Sequence, residues 1–265
     1  MRKTRLFIDQ KSIALDQEIA IRDGDFEYLT KVLRKKIADE ICVFNGFDGD
    51  FTTSITVIEK KFITLKVTAK IAELQKVPNI TLAFAPVKNV RVDFIAAKAV
   101  ELGVARFQPI ITTRTIVDKI NVERFKANIK EACEQCERND FAEVLEIKKL
   151  DKFLEDQKNS EKILILCDES GKSFSAKEVF TKIALEKNFA ETDFENRPEI
   201  VILIGPEGGF APEEFRKMRE LKNLYSVSLG PRILRADTAI ISALTLVQEF
   251  LGDFNSNKNS YVPLK

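Results

Sequence analysis

Twice within its last quarter the chain runs from a short apolar stretch, through a turn built on glycine and proline, into a helical pattern. The first corner is Ile204-Gly205-Pro206-Glu207-Gly208-Gly209-Phe210, and the second is Leu229-Gly230-Pro231-Arg232-Ile233-Leu234-Arg235-Ala236-Asp237-Thr238-Ala239. Both lie at the C-terminal ends of apolar strands, where open α/β sheets bind ligands. Glycine lets bare backbone approach a small molecule closely. The two corners therefore outline one site walled largely by N–H and C=O groups. The first corner lacks the G-x-G-x-x-G spacing of a dinucleotide site. Pro212 suits the first turn of the helix that follows, whose buried stripe is Phe215, Met218 and Leu221.

Upstream the chain divides in two. Residues 1–72 read as mostly β, with one short helix expected over 26–36. Ile63, Leu65 and Val67 alternate with Thr64, Lys66 and Thr68, the period of a half-buried strand. That run pairs with 54–58 as a hairpin across Glu59-Lys60-Lys61, and a small barrel is the natural closure. Residues 73–79 read as a linker. From 79 to 252 strands alternate with helices, the order of a parallel α/β sheet. The run 80–85 reads as a buried strand, and 162–167 and 200–204 are near-continuously apolar, as strands covered on both faces should be. The last helix, to Leu251 with Gly252 as its stop, is expected to take Asp237 as N-cap. It is apolar nearly all round, and so should be buried on more than one side, in a core or against a second subunit. Residues 253–265 form a polar tail.

Histidine is absent from all 265 residues, which excludes a Ser-His-Asp triad, an imidazole base and a His metal ligand. Four cysteines could make one zinc site only if distant elements converged. Cys133 and Cys136 share a helix face with Phe125 and Ile129, so core packing is the expected role and no metal is expected. Ser170-Gly171-Lys172-Ser173 imitates the end of a phosphate loop, but Leu166 stands where that motif needs glycine, leaving a surface turn. Leu6-Phe7-Ile8 stops at Asp9, far short of a signal core, and no apolar run reaches membrane-spanning length. The expectation is a cytoplasmic protein with reduced thiols. A net charge of +1 neither demands nor excludes nucleic acid, but Lys31, Arg34, Lys35 and Lys36 cluster, and Arg2, Lys3 and Arg5 open the chain.

Taken together these residues resemble the ribosomal RNA small subunit methyltransferase E family, within the SPOUT class of knotted methyltransferases. The resemblance covers nearly the whole chain. Its most specific parts are the two corners; Lys98-x-x-Glu101-Leu102-Gly103-Val104, Thr113-Arg114, Glu134-Gln135-x-x-Arg138, Val32-Leu33-Arg34 and Asn45-Gly46 support it. Glu27 and Tyr28 depart from a frequent His pair, Asn89-Val90 from a glycine and an acid, Ala142 from a proline and Asp237 from a glutamate. The resemblance implies a PUA-like N-terminal barrel and an α/β domain with a C-terminal trefoil knot. It also implies a homodimer, S-adenosylmethionine as cofactor, and methylation of N3 of one uridine in 16S ribosomal RNA, free or within the small subunit. A related enzyme with another rRNA or tRNA target, or a non-catalytic RNA-binding assembly factor, remains open at this point.

On that resemblance the candidate cofactor residues are Leu203, Ile204, Gly205, Glu207, Gly208, Gly209, Leu229, Gly230, Ile233, Leu234, Arg235, Thr238 and Ala239. Arg2, Arg5, Arg22, Arg34 and Lys35 are the candidate RNA contacts. Uracil N3 must lose its proton before it accepts a methyl group, and a guanidinium beside it would stabilise the anion. Arg235 or Arg232 is expected in that role.

Overall fold

The computed structural model describes residues 4–86, 92–117, 119–168 and 173–254. Arg2, Asn89-Val90, the Ser170-Gly171-Lys172 turn and residues 255–265 of the tail lie outside the described residues. The chain forms two compact units: 4–76 together with Cys133–Phe141, and Val77–Ala132 together with 142–254.

The first unit contains β1 (Arg5–Phe7), β2 (Glu18–Ile21), α1 (Asp23–Glu27), a wide helical turn (Tyr28–Val32), β3 (Glu40–Phe44), β4 (Asp50–Ile58) and β5 (Ile63–Ala72). Its sheet runs β1-β3-β4-β5-β2. The expected hairpin is β4–β5, with Ile58 opposite Ile63 and Glu59 N donating to Phe62 O at 2.9 Å. Ile63, Leu65 and Val67 face a core that also holds Leu6, Ile19, Leu29, Ile41 and Ile55. The helical segment covers 23–32 rather than 26–36. It cannot extend further, because Arg34 (φ 53°) and Ala38 (φ 71°) take left-handed backbone that ends a right-handed helix.

Cys133–Phe141 was expected in the second domain but groups with the first. Asn139 explains this: its amide donates to Glu73 O at 2.9 Å and to Asp50 Oδ2 at 3.2 Å, and its Oδ1 accepts from Gln75 N at 2.9 Å. The Phe141 ring lies 4.5 Å from that of Phe7, centroid to centroid.

The second unit contains β6 (Ile80–Phe84), α2 (Val92–Glu101), β7 (Arg106–Ile111), α3 (Val122–Cys136, whose last turn belongs to the first unit), β8 (Glu143–Val144), β9 (Lys148–Lys149), α4 (Leu150–Gln157), β10 (Ile163–Cys167), β11 (Phe174–Ser175), α5 (Ala176–Glu186), β12 (Ile200–Ile204), α6 (Pro212–Arg219), β13 (Leu224–Ser228) and α7 (Ala236–Leu251). The sheet order is β11-β13-β10-β12-β6-β7-β8, with β9 also on β7, and every pairing is parallel. All residues of β6, β10 and β12 are buried; β10 and β12 are apolar throughout, and the one polar residue of β6, Thr81, is hydrogen-bonded.

α7 packs on α2, α5 and β12. Those contacts bury Ile240, Ala243, Leu244, Val247 and Leu251 and leave Ile241, Leu246 and Phe250 half-buried. Arg235, not Asp237, occupies its N-cap; Asp237 sits in the first turn, where its charge favours the helix dipole. Buried Gln248 donates to Leu102 O at 2.8 Å and accepts from Asp253 N at 3.1 Å. The amide fills the space beside Gly103 and Gly252, so that a Cβ on either would collide with it.

The N-terminal ends of the parallel strands are tied by charge. Glu199, just before β12, accepts from the Thr81 hydroxyl at 2.7 Å and meets Arg106 and Lys162, each at 3.1 Å. Arg106 also donates to Thr81 Oγ1 at 3.1 Å and to Asn79 Oδ1. Burial pushes the Glu199 carboxyl up, but Thr81 and the two cations outweigh it and hold the group below its ordinary 4.5.

Candidate functional site

At the opposite ends of the same strands the two glycine corners meet. The β12 and β13 corners, the end of β10 and the start of α7 enclose a cleft of about 540 Å³, within the about 300–1,000 Å³ usual for small-molecule sites. The sequence placed Ile204, Gly205, Glu207, Gly209, Leu229, Gly230, Ile233, Leu234, Arg235 and Ala239 at a cofactor, and all of them line this cleft, as does Arg232. Leu203, Gly208 and Thr238 are not among its lining residues. Leu203 is fully buried beneath the corner, and Thr238 N bonds Asp237 Oδ1 at 2.8 Å. Gly208 instead offers its carbonyl to Arg114 Nη1 at 2.7 Å.

That bond belongs to a brace behind the first corner. Glu214, buried in α6, accepts from Ala211 N at 2.7 Å, which caps the helix. Its other oxygen accepts from Thr113 N at 2.7 Å and Thr113 Oγ1 at 3.0 Å. Thr113 and Arg114 thus hold the corner from the loop after β7. Two glycines adopt the left-handed backbone the corners need, Gly209 (φ 66°) and Gly230 (φ 115°).

Sequence reasoning missed Cys167 and Asp168, at the end of β10, along with Pro206, Pro231 and Ala236. Asp168 is buried and accepts from the Ser173 hydroxyl at 2.8 Å. Only its position one residue past an apolar strand could have pointed to it. Arg232 and Arg235 are exposed at the cleft, with Arg235 Nε 4.0 Å from Asp237 Oδ1. Ile233 between them is 87% exposed.

Of the candidate RNA contacts, Arg22 and Arg34 are exposed and Lys35 is half-buried. The Arg22 guanidinium stacks 5.1 Å from the Phe62 ring centroid. Arg5 is a correction. It is buried, 2.9 Å from Asp50, over the Phe44 ring at 4.7 Å, and donates to Arg138 O at 3.0 Å. A guanidinium committed in this way is not open to a phosphate. Cys133 is buried and Cys136 half-buried in the helix expected for them. Among the described residues no group of His, Cys, Asp and Glu stands together as a metal site, and no helix is long and apolar enough to cross a membrane.

Comparison with known proteins places this geometry. The family model of the RNA methyltransferase domain matches residues 74–248, and that of the RNA methyltransferase PUA domain matches residues 21–68. Ribosomal RNA small subunit methyltransferase E of Buchnera aphidicola is 31% identical over 94% of this chain and 94% of its own. The chain belongs to the ribosomal RNA small subunit methyltransferase E family. The Rickettsia conorii member is 28% identical over 94% of this chain and 96% of its own. Among solved structures, the family member of Neisseria gonorrhoeae bound to S-adenosylmethionine superposes with a TM-score of 0.78 at 27% identity, covering 96% of this chain and 100% of that one. A methyltransferase of Legionella pneumophila with bound cofactor gives 0.77 at 29% identity, over 94% of this chain and 98% of its own. The family architecture, a PUA-like domain followed by an α/β methyltransferase domain with a parallel sheet, is the one described above.

Proposed function

We propose that the protein is an S-adenosylmethionine-dependent methyltransferase that modifies N3 of one uridine in 16S ribosomal RNA, free or in the small subunit. The observation that carries this reading is the meeting of both glycine corners in one cleft with Arg232 and Arg235 at its wall. The cleft suits the cofactor chemically. Ile204, Leu229, Leu234 and Ala239 give an apolar lining, glycine backbone gives hydrogen-bonding groups, and Asp168 and Glu207 bring negative charge near a cationic ligand. When bound, S-adenosylmethionine supplies a methyl group on a positively charged sulfur. The two corners hold and orient it. A uracil bound beside the arginines would give up its N3 proton to water, and one guanidinium would stabilise the resulting anion. Much of the remaining rate comes from positioning, which no histidine is needed to provide.

The same reading gives the first unit the task of gripping RNA, through exposed Arg22 and Arg34 and through Lys35. It closes the five-stranded sheet as a PUA-like barrel, threads the second unit as a trefoil knot and pairs two copies as a cytoplasmic homodimer, with exposed Ile233 a candidate for the contact between copies. The test is transfer of labelled methyl groups from S-adenosylmethionine to small-subunit RNA, followed by nucleoside mass spectrometry. Appearance of 3-methyluridine at one site is expected; a different methylated nucleoside would overturn the assignment of N3.

A further inference from the structure

The wide turn and the loop after it, residues 28–37, present an uncommon surface. Tyr28, Val32 and Ile37 are 42%, 66% and 63% exposed. Tyr28 and Val32 are one turn apart in the same helical turn, which Leu33 N closes onto Tyr28 O at 3.0 Å. Such i→i+5 turns are rare and often mark functional sites. Between residues 27 and 39 four basic side chains stand against two acidic ones, with Lys31 paired to Glu27 at 2.7 Å. Arg34 and Lys36 are exposed on the same stretch.

The segment is also held in place. Leu29 is fully buried beneath it, and Lys35 N donates to Leu29 O at 2.9 Å. Ala38 N donates to Ile55 O at 2.9 Å, and Lys36 N to Asp39 Oδ2 at 2.9 Å. These bonds maintain left-handed backbone at Arg34 and Ala38, a strain that non-glycine residues keep only where the surroundings impose it. A rigid knuckle that shows an aromatic ring and aliphatic side chains among cations fits one kind of occupant well. Unpaired nucleotides offer a flat face to the ring and a phosphate to the cations, whereas bases inside a duplex have no free face to give.

We propose that Tyr28 is a stacking platform for an unpaired RNA base, with Val32 and Ile37 extending the contact and Arg34 and Lys36 neutralising the adjoining phosphates. The inference rests on the RNA-directed reading above and adds to it the class of RNA element bound, a single-stranded segment.

The chain contains no tryptophan, so Tyr28→Trp introduces a unique fluorescent reporter. A single-stranded uridine dodecamer should quench its emission, while a fully paired RNA duplex of equal length and heparin should not. Tyr28→Phe should bind the dodecamer as the wild type does. Tyr28→Ala should weaken binding about tenfold, the effect of losing one stacked base, with the salt dependence unchanged. Circular dichroism of each variant should match the wild type, since the side chain is 42% exposed. A dodecamer that binds without quenching the indole, or binds the Ala variant at full strength, overturns the proposal. So does equal quenching by heparin, which would show a response to charge alone. A wild-type protein that binds neither RNA overturns the RNA-directed reading itself, and this inference with it.

Discussion

The two ends of the parallel sheet are built on opposite principles. At the strand starts, Glu199, Arg106, Lys162, Thr81 and Asn79 bond one another, and charged side chains close the end. At the strand ends, glycine turns leave backbone bare around a cleft, and the polar bracing comes from behind, through Glu214, Thr113 and Arg114. One end spends its polar groups on itself, and the other keeps them available. A substitution at the first should therefore cost stability and spare binding, and a substitution at the second should do the reverse.

The largest effect is expected at the open end. Gly230→Val forces a β-branched residue onto left-handed backbone in the cleft wall. S-adenosylmethionine affinity by calorimetry should fall by on the order of a hundredfold, as expected when pre-organised backbone is displaced, while the far-ultraviolet circular dichroism stays native. Unchanged affinity would remove the corner from the site. Arg235→Ala comes next. With the cofactor at saturating concentration, single-turnover methylation should slow by about a hundredfold, the loss of one charge-stabilising donor. If Arg232→Ala shows the slowing instead, the two roles are exchanged; if neither does, the guanidinium is not needed for the chemistry.

The closed end should give a smaller and different response. Glu199→Ala leaves Arg106 and Lys162 without their shared carboxylate. Because both cations are partly exposed, the cost should be about 1–3 kcal/mol by urea unfolding, less than for a fully buried pair. Cofactor affinity should be unaltered; a tenfold loss would show that the two ends are coupled. The subtlest distinction is in pH. The folded Glu199 carboxyl titrates below its ordinary 4.5, so between the two values the unfolded chain binds the extra proton. Its contribution to stability is therefore complete above about 4.5 and is lost as pH falls through the lower, folded value. Glu199→Gln should flatten the stability profile in that acid window and leave it alone near neutrality.

The open end was far more legible in the sequence than the closed one. Gly205, Gly209 and Gly230 announce their turns locally, and the apolar runs before them announce strands. Nothing local in the sequence marks Glu199, Arg106 and Lys162, because their partnership exists only once parallel strands start side by side. Arg5 failed for the same reason: Asp50 and Phe44, which bury it, are far away in sequence. The hairpin of Ile63, Leu65 and Val67 was visible through its alternation, whereas β8, β9 and β11, two residues each, carry no period to detect. The start of α5 did carry a signal that went unread, since Ser175 and Glu178 form a reciprocal capping box. Asp237 misled, because a good capping residue two positions inside a helix looks the same as one at its edge.

Gln248 carries a consequence for how such a chain can change over generations. Its amide occupies the room beside both Gly103 and Gly252 and bonds the ends of two helices. Any side chain at either glycine meets that amide, and a shorter residue at 248 abandons the Leu102 carbonyl. The three positions therefore form a lock with no single-step exit. Substitutions there should be strongly non-additive: replacing Gln248 removes the clash at Gly103 but not the cost of a side chain on its left-handed backbone (φ 78°), and the Gln248 Cα still crowds Gly252. Lineages of this fold would have to cross such a site by paired changes, in an order set by the packing.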